Sequence, residues 1–401
     1  MSTSRTANEA NPLTGRERLL RTLRGQPVDR MPIAPFLYYN AVYEMFGYRP
    51  DIYHFYDPPD FDVIEKFVEY CDYFGFDVMH VPGSVWDQYL HSTLRDRSIS
   101  ESDENWDVKV VDEGQADDIH RTLTIETPAG RLRQKESYKR TSTYLIVQNI
   151  DEPLIKTRGD FEILQRYMPP AEKMDCSLIT RARRACGDKG LTDTNTHGAF
   201  NIVSMFRNVE QLMMDPLQDE GFYRAMMEFF LPRLIRRAEK MIEAGADVIE
   251  VAAQLAGSSV GPAFYRRYIL EYENRLLRGI HEAGGLVVFH NCGRAKTIMH
   301  LYNEMEMDCW GYLTPPPFGD VDLDEALRVI RPDIALRGNI DQVEFMVKAT
   351  PAEVKERTRE VVLRARERGN FILSTTDFFF DGTPYENIKA FAEAGREYGW
   401  Y

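Results

Sequence analysis

Cysteine is scarce. The five thiols of this 401-residue chain, Cys71, Cys176, Cys186, Cys292 and Cys309, are odd in number and widely spaced. That pattern excludes a disulfide framework and points to a reducing, cytoplasmic setting. No apolar run approaches the ~20 residues of a membrane span. The polar stretch Met1–Pro12 lacks the apolar core of a signal peptide and reads as a disordered tail. Positive charge is in deficit: 49 Lys and Arg face 63 Asp and Glu, a net charge of −14. Neither nucleic acid nor an anionic membrane suits that balance as a partner. Low-complexity tracts and fixed-period repeats are also missing. What remains is 43% hydrophobic, 28% charged and 12% aromatic, a globular composition long enough for a large core.

The stretch Gly285–Arg294 organises the rest. Leu286–Phe289 is a short apolar run behind the periodic segment Pro262–Ala283, the pattern of a helix feeding a buried parallel strand. The run ends in His290-Asn-Cys292. Alternate residues of an extended segment share a face, so His290 and Cys292 leave the strand end together. An imidazole and a thiolate so placed are half of a zinc site. The same pair equally describes a packed histidine beside a buried free thiol.

Along the chain, Thr14–Gly25 is a short amphipathic helix with Thr14 and Glu17 as a capping box. Ile33–Leu37 and Asp77–Val81 read as strands with the helix Phe61–Tyr73 between them. Trp86, Tyr89 and His91 follow in a loop. Val108–Val111, Thr122–Thr127, Arg131–Glu136 and Tyr144–Gln148 are alternating runs separated by turn residues, an antiparallel insertion over residues 106–148. Beyond it, helices at 171–187, 219–244, 262–283, 296–305, 322–330, 351–368 and 384–398 alternate with strands. Those strands are Leu191–Thr194, Asp247–Val251, Leu286–Phe289, Cys309–Leu313, Ile334–Arg337 and Phe371–Ser374. With the first two this makes eight, which predicts an α/β fold: a (β/α)8 TIM barrel forming one domain over residues 13–401. An open doubly wound sheet is weakened by the lack of a Gly-x-Gly-x-x-Gly loop after the first strand.

Barrel active sites lie at the carboxyl ends of the strands. Those positions here carry Phe36, Tyr38, Tyr39, His80, Thr196, His197, Glu250, Gln254, His290, Cys292, Tyr312, Asn339, Asp341, Thr375, Thr376 and Asp377. Asp377 is the best third metal ligand, since a carboxylate oxygen is an ordinary zinc donor and three protein ligands leave an open catalytic position. Glu250 is its rival, or a fourth ligand, or a substrate contact. Glu250, His290 and Asp377 are therefore the candidate catalytic groups, and His290, Cys292 and Asp377 the candidate metal set. Phe36, Tyr38, His197, Gln254, Tyr312 and Asn339 are candidate substrate-binding residues. Cys309, at the start of its strand, is at the wrong end for the site.

Several short stretches, in order along nearly the whole chain, carry a resemblance. They are Gly15-Arg-Glu-Arg-Leu-Leu, Pro27-Val-Asp-Arg-Met-Pro32, Gly284–Gly293, Pro315-Pro-Pro-Phe-Gly-Asp-Val-Asp322, Gly338-Asn-Ile-Asp341, Leu373-Ser-Thr and Thr383-Pro-Tyr-Glu-Asn. The chain resembles the uroporphyrinogen decarboxylase superfamily and, within it, the cobalamin-dependent methyltransferase branch. The resemblance implies a (β/α)8 barrel, zinc as cofactor, and a corrinoid carried by a partner protein. It also discriminates. The decarboxylases carry an arginine-rich motif after the first strand, where this chain has Phe36-Leu-Tyr-Tyr-Asn-Ala. The methyltransferases carry His-x-Cys and a later Cys as zinc ligands. His290 and Cys292 match, while the later position falls on Asp377.

Replacing a thiolate by a carboxylate makes the ion harder and suits it to polarising an ether oxygen. The expectation is methyl transfer from a methylated small molecule, an aryl methyl ether, to the cobalt(I) of a corrinoid protein. The alternatives are a decarboxylase of a tetrapyrrole or related acid, and a non-catalytic corrinoid- or substrate-binding barrel. A homodimer is the assembly to look for.

Overall fold

The computed structural model describes residues 12–83, 97 and 99–401. Trp86, Tyr89 and His91 lie outside the described residues. Strand β1 (Val78–His80) is followed by β2 (Asp107–Gln115), β3 (Asp118–Thr127), β4 (Gly130–Arg140) and β5 (Ile146–Glu152). Then come β6 (Gly190–His197), β7 (Val248–Ala252), β8 (Leu286–His290), β9 (Cys309–Leu313), β10 (Ala335–Ile340) and β11 (Phe371–Thr375). β1 and β6 through β11 form a curled parallel sheet in that order, and β2 through β5 a separate antiparallel sheet. Between the parallel strands run amphipathic helices, each sending its apolar stripe into one large core. Gly75, at φ 73°, ends the helix Val63–Phe74 in the left-handed region and turns the chain into β1. No described helix is long and apolar enough to cross a membrane.

The expected first strand, Ile33–Leu37, is not a strand. It is reduced to a single bridge, Ile33 to Leu373. On one side Ala34 N–H donates to Leu373 O at 3.0 Å and Leu373 N–H to Pro32 O at 2.9 Å; on the other, Asp77 N–H donates to Ile33 O at 2.8 Å. Pro32 and Pro35 flank this contact, and a proline has no N–H to extend a ladder. Residues 32–34 nonetheless stand between β1 and β11.

Side chains fix them there. Arg18 donates to Asp29 at 2.7 Å and to Asp77 at 2.5 Å, Arg30 donates to Asp77 at 2.8 Å, and Ile33 N–H to Asp77 at 2.9 Å. Asp77 is buried, so each of its partners compensates a charge removed from water. The capping box of Thr14 and Glu17 starts the helix Gly15–Leu23 as expected. Its Leu19 and Leu23 join a dry layer made of Ala34, Met79, Leu191, Val248, Val288, Cys309, Ala335 and Ile372, one residue from each parallel strand and from the segment 32–34. That layer is the floor beneath the site, and Cys309 belongs to it.

The insertion strands are longer than the runs that foretold them and pair in chain order. Trp106, Leu123, Ile125 and Leu132 pack into the main core. Ser142 and the Tyr144 N–H both donate to Asp381, which follows β11. Elsewhere the expected helix 262–283 is broken by a π-helical turn at Tyr265–Ile269, 171–187 shortens to Ser177–Cys186, and 296–305 becomes the 3-10 segment Met299–Glu304. Helices Tyr39–Phe46, Arg158–Tyr167, Ala199–Phe206 and Val209–Gln218 were not foreseen.

Candidate metal centre

β8 ends at His290 and β11 at Thr375, so their following residues share the open end of the curl. One donor atom each of His290, Cys292 and Asp377 lies within 4.8 Å of the others. His290 is buried; Cys292 and Asp377 are partly exposed. One Asp377 oxygen accepts the Phe378 N–H at 2.8 Å, which orients the carboxylate and leaves its other oxygen open.

His290 is held from behind. Its Nδ1 lies 2.7 Å from Glu250 Oε1, while its Nε2 is buried with no hydrogen-bond partner among the described residues. Glu250 thus engages Nδ1 as a donor and leaves Nε2 as the atom a metal would take. Glu250 is itself engaged: Tyr312 Oη donates to Oε2 at 3.0 Å and Arg337 Nη1 lies 3.5 Å from the same oxygen. Arg337 also lies 3.5 Å from Asp193, donates to Ala34 O at 3.1 Å, and places its guanidinium 4.7 Å from the Tyr312 ring centre.

Burial would raise the Glu250 carboxyl, but His290 and Arg337 overcome it and hold it below its ordinary value. Asp193 moves the other way: burial, reinforced by Glu250, pushes it well above the carboxylate range. Burial pulls His290 down, yet Glu250 and Cys292 outweigh it and raise the imidazole. Burial raises Asp377, with His290 opposing.

Tetrahedral zinc keeps its N, O and S ligands roughly 3.4–3.8 Å apart. Shifts of about an ångström would close the triad, and the unpartnered Nε2 and mixed donor set fit such an ion. An aromatic wall adjoins it. The Phe36 ring centre is 5.5 Å from His290, 5.4 Å from Tyr312 and 5.7 Å from Tyr38, and Tyr38 is 5.2 Å from Phe378. Phe36, Val81 and Tyr312 form a small cluster against Tyr38, Cys292 and Phe378.

Phe36, Tyr38, Tyr312, Glu250, His290, Cys292 and Asp377 are thus brought together. Other candidates are not. Asn339 donates to Leu313 O at 3.0 Å and meets Arg357 of an outer helix at 3.5 Å, so it ties strand to helix. Gln254 accepts from Asn201 at 3.2 Å. His197 is fully buried at the end of β6, where Ala252 separates it from His290 in register, and burial pushes its imidazole down to about 3, keeping it neutral. His80 packs on Phe67 and is likewise held near 3 by burial. Asp341 caps a turn through the N–H groups of Glu344 and Phe345. Arg337 and Asp193 were missed. Their signal was a charge in the middle of a buried strand.

The uroporphyrinogen decarboxylase family model matches residues 147–398. The chain belongs to that family. Among its relatives, the methylcobamide:CoM methyltransferase MtbA of Methanosarcina mazei is 23% identical over 395 residues, covering 96% of this chain and 98% of that protein. The methylated-thiol–coenzyme M methyltransferase of the same organism is 27% identical over 203 residues, 49% of this chain and about half (51%) of that protein. A uroporphyrinogen decarboxylase from Gloeobacter violaceus is 26% identical over 255 residues, covering 60% and 70%. The solved structure of a methyltransferase from Methanosarcina mazei superposes with a TM-score of 0.65 at 17% identity, over 96% of this chain and 99% of that one. At that identity the likeness speaks for the fold alone. The MtbA protein of Methanosarcina acetivorans is likewise 23% identical over 395 residues, covering 96% of this chain and 98% of that protein.

Proposed function

We propose that this chain is a zinc-dependent methyltransferase on a (β/α)8 barrel whose eighth position is residues 32–34. It moves a methyl group from a methylated small molecule to the cobalt(I) of a corrinoid carried by a partner protein. The donor class we assign is an aryl methyl ether. The observation that carries this reading is the nitrogen, sulfur and oxygen triad with His290 Nε2 unpartnered among the described residues. The printed names of the near-full-length relatives support corrinoid methyl transfer.

Zinc held by His290, Cys292 and Asp377 supplies Lewis acidity toward the oxygen of the leaving group, and a carboxylate ligand keeps the ion harder than a second thiolate does. The chain's own residues do the rest. Glu250 fixes the His290 ring through Nδ1, and His290, Arg337 and Tyr312 together keep that carboxylate ionised. Phe36, Tyr38, Tyr312 and Phe378 supply an aromatic wall suited to a planar donor. The decarboxylase alternative needs arginine for the substrate's carboxylates, and Arg337, inside the curl, already faces Glu250 and Asp193.

The test is metal analysis of the purified protein followed by methoxylated aromatics with a cobalt(I) corrinoid. The expected result is one zinc per chain, lost in Cys292→Ser, and methyl transfer by the wild type. Asp377→Cys keeps zinc but slows ether cleavage in single turnover, because the oxygen contact strengthens as the phenolate develops. Full zinc retention in Cys292→Ser removes the triad. Zinc without turnover of any methoxyarene removes the donor class.

A further inference from the structure

β2 is an edge strand. It pairs with β3 over nine residues, and no described strand lies on its other side. The Val108 N–H turns away from β3 to Ser102 Oγ at 2.9 Å. By strand alternation, Val110, Asp112 and Gly114 present their backbone groups to the same open edge. Such an edge is a template for another strand, and proteins ordinarily blunt it with proline, a bulge or a cover. Among the described residues β2 has no proline and no bulge, and Ser102 covers it only at the Val108 N–H. Instead it holds two β-branched apolar residues in water, Val110 at 42% exposure and Val111 at 54%.

A second copy meets this edge in few ways. A two-fold axis through a continuous antiparallel sheet keeps every side chain on its own face, so residues opposite one another share parity. Centred on Lys109, the pairing sets lysine against lysine. Centred on Val110, it sets Glu113 against the second copy's Asp107. Centred on Asp112, it sets aspartate against aspartate. Centred on Val111, it places Lys109 opposite the second copy's Glu113 twice, with the two Val111 side chains between them.

In that register Val110 and Asp112 of opposite copies exchange backbone hydrogen bonds. The Val111 and Lys109–Glu113 pairs become the non-hydrogen-bonded ones, where side chains stand closer. Lys109 is only loosely held and can take this role. Its nearest acid, Asp107, is 3.6 Å away, and both side chains are more than half exposed. On the other face Asp112 is already held by Arg121 at 2.8 Å, so it meets Val110 with its charge compensated.

We propose that β2 pairs antiparallel with β2 of a second copy about a two-fold axis at Val111, joining two four-stranded sheets into one of eight. The proposal is independent of the methyl-transfer reading. Sedimentation velocity of the full chain at micromolar concentrations tests it. The wild type is expected to show a reversible dimer. Lys109→Glu and Glu113→Lys each create two like-charged pairs and weaken dimerisation roughly fivefold or more. The double variant Lys109→Glu/Glu113→Lys restores it to within about twofold, and Val111→Lys abolishes it. All these positions are exposed, and circular dichroism of the diluted proteins checks the fold. A wild type monomeric throughout overturns the proposal. So does a dimer indifferent to the single reversals, or one weakened by them and not restored by the double exchange, because either places the contact elsewhere.

Discussion

Glu250 serves three partners at once, His290, Tyr312 and Arg337, from a position with no solvent. Glu250→Gln keeps the volume and an acceptor for Nδ1–H but removes the charge that makes the imidazole a strong donor. Zinc affinity, read by competition with a chromophoric chelator, is expected to fall about tenfold, within the range for such supporting groups. Unchanged affinity would show that the Glu250 contact does not tune the ligand. His290, Cys292 and Asp377 were legible in the sequence because metal-binding side chains follow apolar runs there, and strand alternation says which way they leave. Arg337 and Asp193 were not. Each sits inside its strand, Asp193 between two threonines and Arg337 between Leu336 and Gly338, and only its partners on other strands explain it. Asn339 was placed by the same alternation, but the β10 register shifts between Arg337 and Gly338, and its side chain bonds Leu313 O.

At the scale of elements, the helix Ala199–Phe206 begins under a buried carboxylate. Glu273 accepts the N–H groups of Ala199 at 3.0 Å and Phe200 at 3.2 Å. Burial pushes its carboxyl up to about 7 from the ordinary 4.5, against the pull of those two N–H groups. The folded chain therefore keeps this proton across pH 4.5–7 while the unfolded chain releases it. Stability from this group is fully present below pH 4.5 and is lost as pH rises through about 7, a change of roughly 3 kcal/mol. Urea midpoints measured across that window should fall in the wild type and flatten in Glu273→Gln; parallel curves would refute the assignment.

That helix was illegible because nearly all its residues are buried, leaving no period to read. Tyr39–Phe46 lacked a side-chain cap as well. Arg158–Tyr167 and Val209–Gln218 did carry signals, the Thr157–Asp160 capping box and Asn208, which a closer search for caps would have used. The parallel strands β7, β8, β9 and β11 were readable as largely apolar runs between turn residues. Ile33–Leu37 looked the same, and Pro32 before it and Pro35 within it were the sign that it would not pair along its length.

For the whole molecule, the antiparallel insertion leans on what surrounds it. Its apolar residues Trp106, Leu123, Ile125 and Leu132 are buried against the main core. A fragment of residues 106–152 is therefore expected to show no cooperative thermal transition by circular dichroism; a sharp one would make it an independent domain. The floor of the parallel sheet has a different consequence. Leu19 and Leu23 seal its lower end behind a ring of apolar side chains, so among the described residues that end offers the triad no way out. On the methyl-transfer reading, a small donor and a whole protein bearing the acceptor must share one doorway, and the larger guest shuts it. Order of arrival then becomes a property of the architecture. Initial rates should obey a compulsory sequence, donor first, and an excess of the acceptor protein should inhibit competitively against the donor. Random-order kinetics would mean a second way in.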